Sequence, residues 1–377
     1  MRTKFLWWSG AALVVGLLGC QLTPKRGPTP VWYDVGQVHR DVTTVSPEAQ
    51  MWFDRGLGLA FGFNHEEAVL CFEKAAAADP RCAMAYWGKA YALGPNYNSP
   101  LPDPSALATS HAALARALAE LDDETPLERA LVQALRARDA AAPPADRAPL
   151  DAAYAEAMRT VQFRFPDDAD VAALTAEAVM QLRPWGLWSH DGVAAPETPE
   201  IRAILEPALA RWPDHPALCH LYIHTMEAGP EVARALPAAE RLESLAFGLG
   251  HLVHMPSHAY VWTGRYDNVI RVNVQAVEVD DAFAEMRGRH NVFTAYRIHN
   301  LHFVAYGAMW DGRRELALRY ARRIPDEIPA DLVDAMPDLF EIFIATPYHV
   351  MVRFGMWEEI LAEPEPTRPS VASCTFF

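Results

Sequence analysis

The sequence predicts an all-α protein, an α-solenoid in which antiparallel helical hairpins stack in series. Ala-rich runs with Leu, Glu and Arg favour helix along the chain. No stretch of strand length alternates apolar and polar residues, so we expect no sheet. A pattern of small residues, aromatic residues and prolines returns along the chain, which indicates a helical repeat. At 377 residues, the chain is long enough for one long solenoid or for two compact domains.

Residues 49–82 show the repeat pattern most clearly. With Ala49 as position 1, the residues at positions 4, 8, 20, 24, 27 and 32 are Trp52, Gly56, Ala68, Phe72, Ala75 and Pro80. They match the 34-residue tetratricopeptide (TPR) repeat, a helix–turn–helix unit. Small residues are needed where two helices cross closely, and proline ends the second helix because it cannot extend the hydrogen-bond ladder. We expect Asn64, in the turn, to cap the second helix.

The same register continues along a predicted solenoid of residues 47–362. Its later repeats are expected to begin at Ala169, Pro216, Gly250, Ile298 and Glu341, with turn glycines at Gly264, Gly312 and Gly355. Two insertions, at 95–104 and 184–198, make the spacing uneven. The aromatic residues of the second insertion, including Trp185, are interpreted as packing between hairpins, with stacking on a ligand as the alternative.

The first 46 residues have the features of export and membrane anchoring. Positive charge from Arg2 and Lys4 precedes an apolar run, 5–19, that is too short for an ordinary membrane span. The run ends in Leu-Leu-Gly-Cys, which resembles a bacterial lipobox, and the resemblance implies cleavage before Cys20 and diacylation of its sulfur. We therefore predict a lipoprotein signal peptide over 1–19 and a lipidated tether over 20–46. The alternative is a plain signal peptide with an incidental cysteine.

The charge of the chain excludes several other partners. The chain has 33 Lys and Arg against 48 Asp and Glu, a formal net charge of -15. A nucleic-acid binder needs a basic surface, so we expect no nucleic acid. An anionic membrane would repel the chain, so attachment has to come from acyl chains on Cys20, which hold a protein on a membrane when more than one is present. The non-acidic Gln21 favours the outer membrane, with the protein facing the periplasm.

Histidines are the second informative feature, with 14 in the chain. Many fall into groups that have the spacing of one helix face. The groups are His220, His224 and Glu227; His251, His254 and His258; and His299 with His302. In the TPR register these residues fall at positions 2, 5, 9 and 12 of first helices, which line the concave groove of TPR proteins. We therefore expect them to share one groove.

Two interpretations fit a histidine-lined groove. Imidazole is the commonest neutral nitrogen ligand, and two on adjacent turns can close on one divalent ion, so the first interpretation is a transition-metal site for zinc, iron or copper. In an enzyme, Glu227 would be a ligand or a general base acting on metal-bound water. The second interpretation is a non-enzymatic scaffold, in which the histidines bond to backbone and water while the groove binds a peptide or protein partner.

Three segments resemble a family of bacterial TPR-containing proteins with a His-x-x-His-Met-Pro-Ser-His core. They are Phe-Gly-Phe-Asn-His-Glu-Glu-Ala at 61–68, Ala-Tyr-Trp-Gly at 85–88, and 251–260, and the similarity extends over about residues 47–362. The resemblance implies the TPR fold and a histidine-rich core, and implies no particular activity. Members of the family continue with further helices, whereas residues 363–377 turn Pro-rich. We expect an irregular tail there, from a truncated or frame-shifted end that leaves the last repeat without its cap.

Overall fold

The computed structural model describes residues 34–245, 248–291 and 293–364. Within those residues the regular structure is helical, and the extended pairings are single antiparallel bridges from Asn96 to Ser99 and from Trp188 to Ala194. The predicted all-α class is therefore confirmed. No helix in the described ranges is both long and apolar enough to cross a membrane. Cys20, the predicted signal peptide, the first part of the tether and the tail from residue 365 lie outside the described residues.

The chain divides into two compact units, with the described residues up to 245 in unit 1 and those from 248 onward in unit 2. The helices of unit 1 are α1 (Pro47–Phe61), α2 (His65–Ala78), α3 (Ala83–Leu93), α4 (Pro104–Ala119), α5 (Pro126–Leu135), α6 (Ala148–Arg164), α7 (Ala169–Met180), α8 (Thr198–Arg211), α9 (Pro216–Met226) and α10 (Leu236–Ser244). Each packs against its neighbours in sequence, so unit 1 is a series of antiparallel hairpins of TPR type.

The helices of unit 2 follow the same plan. They are α11 (Gly250–His254), α12 (Pro256–Trp262), α13 (Tyr266–Arg287), α14 (Phe293–Trp310), α15 (Arg314–Glu327), α16 (Ala330–Ala335), α17 (Pro337–Ile344), α18 (Thr346–Arg353) and α19 (Trp357–Ala362). α13 packs against α11, α12 and α14, and α14 packs against α15. Met255, between α11 and α12, keeps helical backbone angles (φ -51°, ψ -37°). The ladder is interrupted there because Pro256 has no N–H to donate.

The first hairpin shows the physical basis of the repeat pattern. The ring of Phe72 in α2 lies against the backbone of both α1 and α3. A Cβ atom on Gly56 would lie 2.7 Å from this ring, and one on Gly88 would lie 2.3 Å from it. A side chain at either position would have to displace the ring, so the two glycines allow three helices to pack closely around one phenyl group.

The ends of the helices also follow the predicted local chemistry. Asn64 caps α2, because its side chain accepts a 3.3 Å hydrogen bond from the backbone N–H of Glu67. α2 then ends just before Pro80. The turn glycines predicted for unit 2 all have positive φ, between 66° and 75°, where a side chain would strain the backbone; they are Gly264, Gly312 and Gly355.

The predicted repeat starts agree with the helices only in part. α7, α9 and α11 begin at Ala169, Pro216 and Gly250, as predicted. The starts predicted at Ile298 and Glu341 are wrong, because these residues lie inside α14 and α17. α14 begins at Phe293 and α17 begins at Pro337, so each helix starts a few residues before the position that the repeat register assigns to it.

Candidate metal centre

Three histidines come together in unit 2. His254 ends α11, His258 follows one turn later in α12, and His299 belongs to α14. The nitrogen atoms that they could offer to a metal ion lie within 4.8 Å of one another. His254 is fully buried, whereas His258 and His299 are half-buried. The i,i+4 spacing places the first two on one helix face, and the packing of α11 against α14 adds the third.

Asn273 of α13 determines which nitrogen of His254 faces the other histidines. The side-chain nitrogen of Asn273 donates to the carbonyl oxygen of Val269 (2.8 Å), so its Oδ1 faces His254, 2.6 Å from Nδ1. Because Oδ1 can only accept, Nδ1 of His254 carries the proton, and Nε2 keeps its lone pair. Histidines that bind metals in proteins are held in this way, with one nitrogen on a protein acceptor and the other on the ion.

His254 and His258 face each other through their Nε2 atoms, which lie 2.7 Å apart. Since Nε2 of His254 has the lone pair, Nε2 of His258 donates the proton of this hydrogen bond. An ion bound by both nitrogens would take the place of that proton. The ring centre of His299 lies 4.8 Å from that of His254 and 5.8 Å from that of His258, so three imidazoles surround one point.

Phe303 packs against all three imidazole rings. It lies one turn after His299 in α14 and is buried, with 8% of its surface exposed. Its ring centre is 4.9 Å from that of His254, 5.2 Å from that of His258 and 4.6 Å from that of His299. The phenyl ring therefore forms an apolar wall on one side of the three histidines.

A buried acid lies at the other end of α11. Asp280 of α13 accepts a 2.7 Å hydrogen bond from Nδ2 of Asn300. Its Oδ1 lies so close to Gly250 that a Cβ atom on the glycine would be 1.9 Å away. Burial raises the pKa of Asp280 to about 8, so the carboxyl group is protonated at neutral pH. Asn273 and Asp280 are seven residues apart, about two helical turns, so both face α11.

Two other predicted ligands of unit 2 lie outside the group of three. His251 is buried at the start of α11, with its ring centre 6.0 Å from that of His254. The ring of His302 packs edge-on against Phe343, at 5.4 Å between centres. Burial, and to a lesser extent the positive charge of His349, lowers the pKa of His302 to about 4. His302 is therefore neutral at physiological pH.

Three predicted ligands of unit 1 also meet, at the end of α9. The ring centres of His220 and His224 are 4.8 Å apart, and both rings are buried. Nδ1 of His220 donates to the carbonyl oxygen of Phe61 (2.7 Å), and Nδ1 of His224 donates to Oε1 of Glu227 (2.8 Å). Each ring therefore has Nε2 as its candidate ligand atom. Glu227 supports His224 from behind, a role that the sequence did not distinguish from direct coordination.

Aromatic side chains from separate parts of unit 1 cover His224. The ring centres of Phe63, Tyr97 and Trp185 lie 5.7, 5.5 and 5.7 Å from that of His224. Tyr97 and Trp185 come from the two insertions in the repeat pattern and contact each other, at 5.0 Å between ring centres. Trp185 thus packs against a histidine rather than merely between hairpins.

Phe63 and Trp185 share an unusual backbone conformation. Their φ angles are 55° and 59°, and among the described residues no other non-glycine residue has a positive φ. This left-handed conformation destabilises a residue with a side chain by about 1–2 kcal/mol. Such strain persists where the surrounding structure enforces it, and it is concentrated at functional sites. Both strained residues contact His224.

Sequence reasoning did not find Asn273, Asp280 or Phe303. Asn273 and Asp280 are buried polar residues on a face of α13 that is otherwise apolar, including Val269 and Val277. Polar residues at a seven-residue interval on an apolar helix face were the available signal, since buried polar groups need partners. For Phe303 the sequence offers only its i,i+4 spacing from His299.

Comparisons with known proteins give likenesses in structure alone. No protein-family model and no curated protein matches the sequence. Among solved structures, the human IFIT1 dimer with PPP-AAAA is 13% identical over 74% of this chain and 72% of that one, with a TM-score of 0.36. Yeast Tom70 is 10% identical over 90% and 69% (TM-score 0.32), and the P58(IPK) TPR domain is 13% identical over 83% and 90% (TM-score 0.21). At such TM-scores these likenesses carry no argument, and the TPR-like class rests on the hairpins described above.

Proposed function

We propose that this protein is an exported, lipid-anchored TPR-type protein that binds a divalent transition metal. The first ligands are His254, His258 and His299. The observation that supports the proposal most is the convergence of their nitrogen atoms within 4.8 Å. The hydrogen bond from His254 to Asn273 adds the outer support that metal-binding histidines have in proteins.

The donor set fits an ion of the zinc, iron and copper group. Neutral imidazole suits these metals, and three protein nitrogens with a further exchangeable ligand are common at zinc centres. Metal–nitrogen bonds of about 2.1 Å at a tetrahedral angle need about 3.4 Å between the two nitrogens. The Nε2 atoms of His254 and His258 are 2.7 Å apart. The half-buried ring of His258 would therefore move outward by less than one ångström.

The other residues that the sequence predicts as metal ligands remain predicted ligands. They are His220, His224, Glu227, His251 and His302. Within the described residues of unit 1, two imidazoles converge and Glu227 is engaged behind one of them. We expect an ion at this pair to be bound through Nε2 of each ring, because Nδ1 of each ring faces a protein oxygen.

Elemental analysis of the untagged protein tests the proposal. Wild-type protein should contain about one zinc, iron or copper ion per chain at the three histidines, and a His254→Ala, His258→Ala double variant should lose it. A His190→Ala variant, at an exposed position, is the matched control and should keep the ion. Affinity should fall as the solution is acidified, because only neutral imidazole binds a metal ion.

The opposite result would favour the scaffold interpretation. That result is sub-stoichiometric metal in the wild type, unchanged in the double variant and not restored by added zinc, copper or iron. A non-enzymatic TPR groove that binds a peptide or protein partner would then be the better account of the histidines.

The location of the protein is a separate part of the proposal. A lipid on Cys20 would hold it in the cell envelope, because the apolar run before Cys20 is too short for an ordinary membrane span. The non-acidic Gln21 favours the outer membrane, with the protein facing the periplasm. Cys20→Ser should abolish labelling by radioactive palmitate and release the protein from the membrane fraction. A variant that is still labelled and still sediments with membranes would contradict the lipid anchor.

A further inference from the structure

An open pocket lies on unit 1, between α8 and the insertion that precedes it. Its volume is about 270 Å³. Sites that hold drug-sized ligands have roughly 300–1,000 Å³, so this pocket suits a smaller molecule, about the size of one amino acid. The wall of the pocket includes Trp188, Pro199 and Ala203, and Arg202 and Glu206 form its polar end.

The indole ring of Trp188 is held in a fixed position. Its Nε1 donates a 2.7 Å hydrogen bond to the carbonyl oxygen of Thr225. A Cβ atom on Gly229 would lie 2.6 Å from the ring, so backbone packs directly against it. The ring is half-buried and lines the pocket. It therefore offers an apolar surface that needs no ordering when a ligand binds.

The polar end of the pocket presents both signs of charge side by side. Nε of Arg202, the hydroxyl group of Tyr222 and NH2 of Arg234 all donate to Oε1 of Glu206, each at 3.0 Å. Within the described residues no hydrogen bond reaches Oε2 of Glu206, so this oxygen is left to accept from a ligand. Arg202 also donates from NH1 to Glu231 (3.3 Å), which leaves its NH2 to donate.

The charges around this polar end are balanced. Burial raises the pKa of Glu206, but hydrogen bonds from Arg202 and Tyr222 outweigh it, so the pKa lies below its ordinary value and the carboxylate is ionised at neutral pH. Glu206 and Glu231 thus face two arginines, Arg202 and Arg234. A ligand with one charge of each sign pairs with both exposed ends and leaves the balance intact, whereas a ligand with a single charge does not.

We propose that this pocket binds a zwitterionic α-amino acid with an apolar side chain. Its ammonium group donates to Oε2 of Glu206, its carboxylate accepts from NH2 of Arg202, and its side chain packs on Trp188. The i,i+4 spacing of Arg202 and Glu206 on α8 places their charges next to each other, as the two charges of an α-amino acid are. The site is separate from the histidines and does not depend on the proposed metal function.

Isothermal titration calorimetry of the full chain tests this inference, with L-leucine and L-phenylalanine as probes. Each should bind with a Kd below about 1 mM. Two analogues of L-phenylalanine separate the contributions of its charges. Phenethylamine lacks the carboxylate and 3-phenylpropanoate lacks the ammonium group, so each should bind at least about tenfold more weakly.

Variants of α8 assign the binding to this pocket. Glu206→Gln and Arg202→Gln should each weaken L-phenylalanine binding at least about tenfold. Ala203→Trp fills the pocket from an exposed position and should abolish binding while the ion pairs remain. Glu200→Gln is the matched control, because Glu200 pairs with Arg159 on the same face of the protein surface and is similarly exposed (38%, against 34% for Glu206). It should bind L-phenylalanine as the wild type does, and urea unfolding checks that each variant is folded.

Three results would overturn the inference. The first is a wild type that binds neither amino acid. The second is phenethylamine or 3-phenylpropanoate binding as tightly as L-phenylalanine, which would mean that one of the two charges is not recognised. The third is unchanged L-phenylalanine affinity in a folded Ala203→Trp variant, which would mean that the amino acid binds elsewhere.

Discussion

The His220–His224 pair of unit 1 and the three-histidine group of unit 2 are supported in similar ways but covered differently. In both, Nδ1 of a buried ring donates a hydrogen bond to a side-chain oxygen. His224 donates to Glu227 in unit 1, and His254 donates to Asn273 in unit 2. The rings of the pair are 0% and 2% exposed. In unit 2 only His254 is fully buried, and the other two rings reach the surface.

The covers of the two groups are built by different means. His224 is covered by residues from two insertions, and two of the aromatic residues beside it, Phe63 and Trp185, hold strained backbone conformations. The histidines of unit 2 lie on regular helices, and Phe303 covers them from a helical position. One nearby hydrogen-bond acceptor is therefore enough to fix the orientation of an imidazole ring. The side chains that pack over the ring decide whether solvent can reach it. We expect ligand exchange at the group in unit 2 and a fixed geometry at the pair in unit 1.

Removing one histidine from each group should give the largest difference. His258→Ala takes away one of three nitrogen ligands, so we expect zinc affinity to fall more than about 100-fold. His224→Ala should leave zinc binding at His254, His258 and His299 unchanged and lower the free energy of unfolding by about 1–3 kcal/mol, because Glu227 loses one hydrogen bond in a largely buried position. Zinc titration and urea unfolding of both variants measure these effects. The expected difference between the two groups is contradicted if His224→Ala loses zinc affinity while His258→Ala changes only the free energy of unfolding.

Removing the acceptor behind His254 should have the next largest effect. Asn273→Leu removes the acceptor that lies 2.6 Å from Nδ1 of His254 and weakens the hold on the ring orientation, so zinc affinity should fall by about 10- to 100-fold. Asn273→Asp keeps an oxygen at the same place and should restore most of the affinity. Equal zinc affinity in the wild type and Asn273→Leu, measured over a range of pH, would show that Asn273 does not position the ligand.

The buried acid of unit 2 should make unfolding depend on pH. The carboxyl group of Asp280 has a pKa of about 8 in the folded chain, against about 3.9 in an unfolded one. Between these values the folded state binds more protons, so the free energy of unfolding falls as the pH rises, by up to about 1.4 kcal/mol per pH unit. Asp280→Asn should remove this slope and make the protein more stable above neutral pH.

Urea unfolding between pH 5 and pH 8 measures the effect of Asp280. Asp334→Asn, at an exposed position in the same unit, serves as the control and should keep the wild-type slope. Parallel curves for the wild type and Asp280→Asn would mean that the carboxyl group is ionised in the folded protein.

Relief of the backbone strain at Phe63 should have the smallest effect on stability. Glycine should be the more stable residue there, whereas alanine is the more stable residue in a helix. Because φ is 55° there, Phe63→Gly should be more stable than Phe63→Ala by about 1 kcal/mol, although both lose the ring. At a helical position the order is reversed, so Ala178→Gly in α7 should be less stable than the wild type by about that amount. If Phe63→Ala proves as stable as Phe63→Gly, the strain over His224 is absent.

Local chemistry explains why much of this structure could be predicted. The glycines beside Phe72, the Asn64 cap and the positive-φ turn glycines each depend on contacts within one hairpin or its neighbour. The i,i+4 spacing of His254 and His258 likewise places their rings together whatever surrounds them. The late repeat starts were wrong because α14 and α17 begin before the register positions Ile298 and Glu341, and the turn glycines that follow do not specify where a helix begins.

The sequence by itself determined the helical hairpins, their turns and which histidines share a helix face, because these follow from residues close together in the chain. Only the tertiary structure decided that His299 joins His254 and His258 while His251 and His302 do not. It also decided that Asn273 orients a ring and that Phe303 closes one side of the group. These features depend on side chains from different helices meeting within a few ångströms, and helical periodicity specifies the direction of a side chain without specifying its partner.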